Sequence, residues 1–176
     1  MRSLLLSFSI AFSAWGAAHA ADPADDLTVW WRTQGAEVVE PRSGTSDRAC
    51  FLVLYHDDDV LLFRCRKESE PSLYVKHPGW RFGDREGIAT AEIATERASA
   101  ASGGAAAAQL LVVNYRDWIR ARLDRPIADI LPSERQITID FPNGQASEVS
   151  FPIDRARMPG IMRGLRKCKD ALGIRD

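Results

Sequence analysis

An α+β domain built mainly on antiparallel sheet is the fold class the sequence predicts, and three features predict it. The apolar runs Cys50–Tyr55 and Val60–Cys65 flank the polar segment 56–59, which reads as a β-hairpin. A second hairpin is predicted where Gln136–Phe141 alternates with period two, Pro142-Asn143-Gly144 turns, and Glu148–Ile153 returns. The chain then closes on one amphipathic stripe, Met158, Ile161, Met162, Leu165, Cys168 and Leu172, at helical spacing. The expected architecture is a mainly antiparallel sheet of hairpins with one or two packed helices, the C-terminal amphipathic helix closing one face.

Taken in order, the chain opens on a segment of the secretory type. Arg2 supplies a positive charge, Leu4–Ala14 is uncharged and mostly apolar, and Ala18-His19-Ala20 offers small residues before a cleavage point. The apolar run is too short to span a bilayer as a mature helix. Residues 1–20 are therefore expected to be a signal peptide and 21–176 a single mature domain, periplasmic or secreted. Residues 21–28 read as a polar N-terminal arm.

Val29-Trp30-Trp31 and Glu37-Val38-Val39 read as short strands, and Pro41–Asp47 as a loop by composition. In the first hairpin a turn at Asp57-Asp58 sets Cys50 opposite Cys65, Leu52 opposite Phe63 and Leu54 opposite Leu61. Both faces of this pair are apolar, so it is expected centrally in a sheet covered on both sides. Further strands are predicted over Ser72–Lys76, ended by His77-Pro78-Gly79, and from Gly87 through Ile93. Residues 97–108 are rich in Ala, Ser and Gly and read as a loop, or as a helix opening at Ala105. Ala108, Leu111, Val112, Tyr115 and Ile119 recur at helical spacing up to Asp124-Arg125-Pro126. That spacing favours a helix through Leu123 over a short strand at Leu110–Val113 followed by a shorter helix. In the last helix Asp154 is placed to cap, Pro159 suits the first turn and Gly173 stops it.

Without its leader the chain has 156 residues, with 22 Lys+Arg against 24 Asp+Glu, a net charge of −2. That length buries a core without metal or a dense disulfide framework. Near-neutrality gives no electrostatic reason to expect nucleic acid, and no later stretch approaches a membrane span. Three cysteines remain, and an oxidising compartment predicts that two of them pair. Cys50–Cys65 is the first choice on hairpin register. A link of Cys50 or Cys65 to Cys168 is the rival, and it would tie the terminal helix to the sheet. The cysteine and histidine spacings fit no zinc pattern, so no metal and no cofactor is expected.

His56-Asp57-Asp58-Asp59 sets three carboxylates beside an imidazole but lacks the spaced oxygen array of a calcium loop, and turn chemistry accounts for it. No Gly-x-Ser-x-Gly elbow is present, and cysteines in apolar strands suit a disulfide better than a nucleophile. Binding is therefore expected over catalysis, and two surfaces are candidates. One is the amphipathic loop that holds Trp80 and Arg81. The other is the basic face of the last helix, Arg155, Arg157, Arg163, Arg166, Lys167 and Lys169, which suits an acidic protein or an anionic envelope component. Trp30, Trp31 and Trp118 add aromatics fit for a platform or for the core.

Several of these features together resemble small periplasmic proteobacterial proteins of the invasion-associated locus B type. They are the leader, an early cysteine opening an apolar hairpin, Pro78-Gly79-Trp80 after a strand, a late hairpin, and Leu165-Arg166-Lys167-Cys168 in a short helix. The resemblance covers roughly Cys50 to Cys168, while the Ala-rich segment and Pro159 depart from it. It implies a compact β-rich domain and brings no catalytic residue with it. The expected function is that of a small exported binding protein engaging a protein or envelope component, with an inhibitor-like or immunity-like role as one version. The alternatives are an envelope hydrolase with a site assembled by the fold, and a structural envelope-maintenance factor.

Overall fold

The computed structural model describes residues 27–42, 48–67, 70–97, 106–123, 129 and 131–175, and the leader and most of the polar arm lie outside the described residues. The first strand, β1 (Leu27–Thr33), begins at the last two residues of the expected arm. It is followed by β2 (Ala36–Pro41), β3 (Ala49–His56), β4 (Asp59–Arg66), β5 (Ser72–Lys76) and β6 (Gly87–Arg97). Then come β7 (Ala106–Tyr115), β8 (Trp118–Arg122), β9 (Glu134–Asp140), β10 (Val149–Pro152) and the helix α1 (Met158–Leu172). The strands form one sheet of order β1-β2-β3-β4-β5-β8-β7-β6-β9-β10, with antiparallel pairing throughout. The sheet curls into a half-barrel, and β10 comes back into contact with β3.

Side-chain alternation sorts each strand into a concave and a convex face. Leu52, Leu61, Phe63, Leu73, Val75, Ile119, Val112, Ala91, Ile139 and Phe151 point inward and form one buried core. The first hairpin has the expected register, with Cys50, Leu52 and Leu54 opposite Cys65, Phe63 and Leu61. Its other face is only partly covered: Val53 is buried, whereas Phe51, Tyr55, Val60 and Leu62 are half-exposed.

The helix predicted through Leu123 does not form. Its residues make β7 and β8, joined by a turn at Arg116-Asp117, with Arg116 at φ 51°. The shorter alternative is right in its strand and wrong in its helix. The physical reason is that β7 carries apolar groups on both faces. Val112 points into the core while Leu111 and Val113 point out, so a period of two leaves no polar gaps to read. The β-branched residues Val112, Val113 and Ile119 favour the strand.

The C-terminal helix α1 packs on β1, β2 and β3, and a 3-10 turn at Leu131–Ser133 leads into β9. Pro159 lies in its first turn, and Gly173 ends it at φ 64° with its N–H on Asp170 O. Asp154 caps the preceding turn rather than the helix, accepting from Ala156 N at 3.0 Å. Met158, Ile161, Leu165 and Cys168 are buried as the stripe predicts. Two glycines set the close approach. A Cβ on Gly164 would lie 2.4 Å from Trp31 Cβ, and one on Gly160 would lie 2.8 Å from Trp31 Nε1.

Candidate interaction surface

The two surfaces expected from the sequence meet different fates. Trp80 is 1 % exposed and belongs to the core. Its loop, residues 77–86, must carry the chain from β5 past β8 and β7 to β6, and it does so across one end of the half-barrel. The Trp80 ring packs edge-on to Phe82 and Phe141, at centroid distances of 5.5 and 5.3 Å. Its Nε1 donates to Ser147 O at 2.9 Å. Phe82 N donates to Arg116 O, and Arg116 N to Gly83 O, which fastens the loop to the β7–β8 turn. The expectation of a Trp80 platform is therefore corrected: a large ring with one polar atom is most stable plugging the open end of a sheet. Arg81 is exposed but folds its guanidinium back on the carbonyls of Pro78 and Trp80.

On α1, Arg163, Arg166 and Lys167 are exposed on the face turned away from the sheet, as expected. Lys169 is buried, and Arg157 is held by Asp154 at 2.8 Å and by the carbonyl of Gln34. The exposed basic set is thus narrower than the six residues of the sequence.

The His56–Asp59 cluster is split by the strand geometry. Asp59 turns to His77, Oδ1 to Nδ1 2.5 Å, while His56 Nε2 is 4.0 Å from Asp57 Oδ2. Among the described residues no group of three or more His, Cys, Asp or Glu side chains is placed to hold a metal ion. The disulfide joins Cys50 to Cys168, not to Cys65. The rival pairing forms because seating α1 brings Cys168 onto the concave face, where Cys50 already points.

A cleft of about 250 Å³ opens where β10 meets β3 without hydrogen bonding to it. Its floor is Ala36, Leu54, Phe151, Met158 and Ile161, and Tyr55, His56 and Arg157 stand on the rim. The Tyr55 hydroxyl donates to Glu37 Oε1 at 2.6 Å, and Glu37 Oε2 accepts from Arg32 at 2.8 Å. Burial, and then the Glu37 hydrogen bond and charge, raise the Tyr55 phenol well above its ordinary value. Both Tyr55 and Arg157 are committed to partners within the protein and not to the cleft.

The convex face holds a surface of which sequence reasoning singled out only Trp118. Strand register lines up Leu62, Tyr74, Arg120, Val113 and Ile88 in one row across five strands. Beside it run Val60, Lys76, Trp118 and Tyr115. Tyr74, Trp118 and Tyr115 are neighbours, with ring centroids 6.4 and 5.6 Å apart, and the Arg116 guanidinium lies 5.0 Å over the Tyr115 ring. Ile88 and Leu111 are each 70 % exposed. At the rim Lys76 meets Asp117 at 3.4 Å, Arg122 meets Glu70 at 3.4 Å, and Arg116 meets Asp84 at 3.2 Å. Arg120 stands exposed at the centre with no salt bridge among the described residues. The chain matches no protein-family model, no curated protein and no solved structure.

Proposed function

We propose that the chain is an exported binding protein that engages an acidic protein partner through the convex face around Trp118. One observation carries this reading: Trp118, Tyr74, Tyr115 and Arg120 lie together, beside the exposed Ile88 and Leu111. Aromatic residues and arginine dominate the energetic centres of protein interfaces, and isolated surface aliphatics beside them supply the apolar contact. The unneutralised Arg120 at the centre of this face selects a partner that presents carboxylates. Two exposed aliphatic side chains are too little apolar area to anchor in a bilayer, which favours protein over lipid. Export rests on the leader-like residues 1–20 and fits the disulfide. The resemblance to the invasion-associated locus B type belongs to the same proposal. The exposed arginines and lysine of α1 lie on the opposite side of the sheet and would form a separate contact.

The test uses a peptide array in which Asp/Glu residues flank Leu or Phe, a charge-reversed array, and phosphatidylglycerol vesicles. The expected result is binding to the acidic array alone, weakened at least tenfold by Trp118→Ala and by Arg120→Glu and unchanged by Arg163→Glu/Lys167→Glu. Binding to vesicles alone, or binding indifferent to Trp118 and Arg120, would overturn the reading. N-terminal sequencing of protein recovered from the envelope should begin at Ala21; a Met1 terminus there would remove the export half of the proposal.

A further inference from the structure

All three cysteines converge on one spot in the core. Cys50 and Cys168 are bonded, with Cα atoms 6.0 Å apart, while Cys65 stands directly across from Cys50 in the β3–β4 register and is a buried thiol outside that bond. Directly opposed residues of an antiparallel pair have Cα atoms about 4.5–5.5 Å apart. A disulfide accepts about 4.4–6.8 Å. Cys50 therefore has two partners at bonding distance, one local and one remote.

We propose that Cys65 is a provisional partner: a Cys50–Cys65 disulfide forms first and is handed to Cys168 when α1 seats. This stands apart from the binding reading and needs nothing from it. In an open chain the remote pairing spans 118 residues and the local one 15. Loop-closure statistics favour the local pairing by about twentyfold. The two local cysteines also belong to one hairpin, whose strands β3 and β4 are joined by a short turn. Seating α1 reverses the preference, because burial of Met158, Ile161 and Leu165 holds Cys168 beside Cys50.

The exchange balances without an oxidant. The Cys168 thiol gives its proton to solvent, and the thiolate attacks the Cys50 sulfur. The Cys50–Cys168 bond forms as the Cys50–Cys65 bond breaks, and the electron pair leaves on the Cys65 sulfur, which takes a proton. Only the first bond requires oxidation, and its two electrons pass to a small-molecule or protein disulfide.

The full chain, reduced and then refolded in a glutathione redox buffer, is quenched with acid at intervals, alkylated and peptide-mapped. Cys50–Cys65 is expected early and Cys50–Cys168 late. Cys65→Ser should reach the same final bond severalfold more slowly, and Cys168→Ser should retain Cys50–Cys65. The proposal is overturned if Cys50–Cys168 appears with no earlier Cys50–Cys65, or if Cys65→Ser forms it at the wild-type rate. Both of these readouts stand even if Cys168→Ser does not fold.

Discussion

Trp80 places its ring against Phe82 and Phe141 and its indole nitrogen on Ser147 O, so Trp80→Ala removes a core ring and a hydrogen bond together. A loss of about 3–5 kcal/mol is expected in denaturant unfolding. Trp118→Ala, on the half-exposed convex face, should cost about 1 kcal/mol or less while weakening partner binding. A second test at this scale concerns Tyr55, whose neutral phenol is favoured by burial and by Glu37. The unfolded chain loses that proton near pH 10, before the folded one does. Stability is therefore fully present below about pH 10 and falls as pH rises past it. Unfolding measured from pH 9 to 11 should show a shallower decline in Tyr55→Phe than in the wild type; equal slopes would show that burial and Glu37 together do not hold the proton.

At the scale of elements, α1 is fixed by contact distance as much as by its apolar stripe. Alanine normally stabilises a helix interior over glycine by about 1 kcal/mol. At Gly164 the added carbon would meet Trp31 Cβ at 2.4 Å, a group tied to the backbone of β1 that has no freedom to yield. Gly164→Ala is expected to destabilise by about 1–2 kcal/mol net, and pairing it with Trp31→Ala should recover part of that loss in a double-mutant cycle. The stripe of α1 and the register of β3 and β4 were legible because each has a clean period and a visible stop. The β7–β8 hairpin was not legible, because apolar groups on both faces erase the alternation and its turn residues, Arg116 and Asp117, carry no glycine to announce φ 51°. The convex surface was lost with it. Its sequence trace is the pair of alternations Leu111-x-Val113-x-Tyr115 and Trp118-x-Arg120, which a helical reading scatters around a cylinder.

For the molecule as a whole, the disulfide couples the last element to the third strand across 118 residues. Closing a loop of that length restricts the unfolded chain by about 4–5 kcal/mol in the chain-entropy model. For a chain of this size the reduced form should melt on the order of 10 °C lower. Scanning calorimetry with and without reductant measures this directly, and an unchanged midpoint would mean that packing alone seats α1. The hairpin register made Cys50–Cys65 the reasonable pairing from sequence. The actual one depends on where a distant helix lands, and spacing does not contain that information. Trp80 shows the same division: its amphipathic neighbours suggest recognition, and only the path of its loop across the sheet end reveals a plug.

The half-barrel is closed at its seam by side chains and not by a strand pair, so β1 and β10 each keep an edge that could template a neighbouring molecule. The described part of β10 is four residues long and ends on Pro152, which has no amide hydrogen to offer an incoming strand. Growth of an ordered sheet from the β10 edge is therefore disfavoured. Replacing Pro152 with valine would restore a donor at the rim, and thioflavin fluorescence should then rise on prolonged incubation where the parent stays dark.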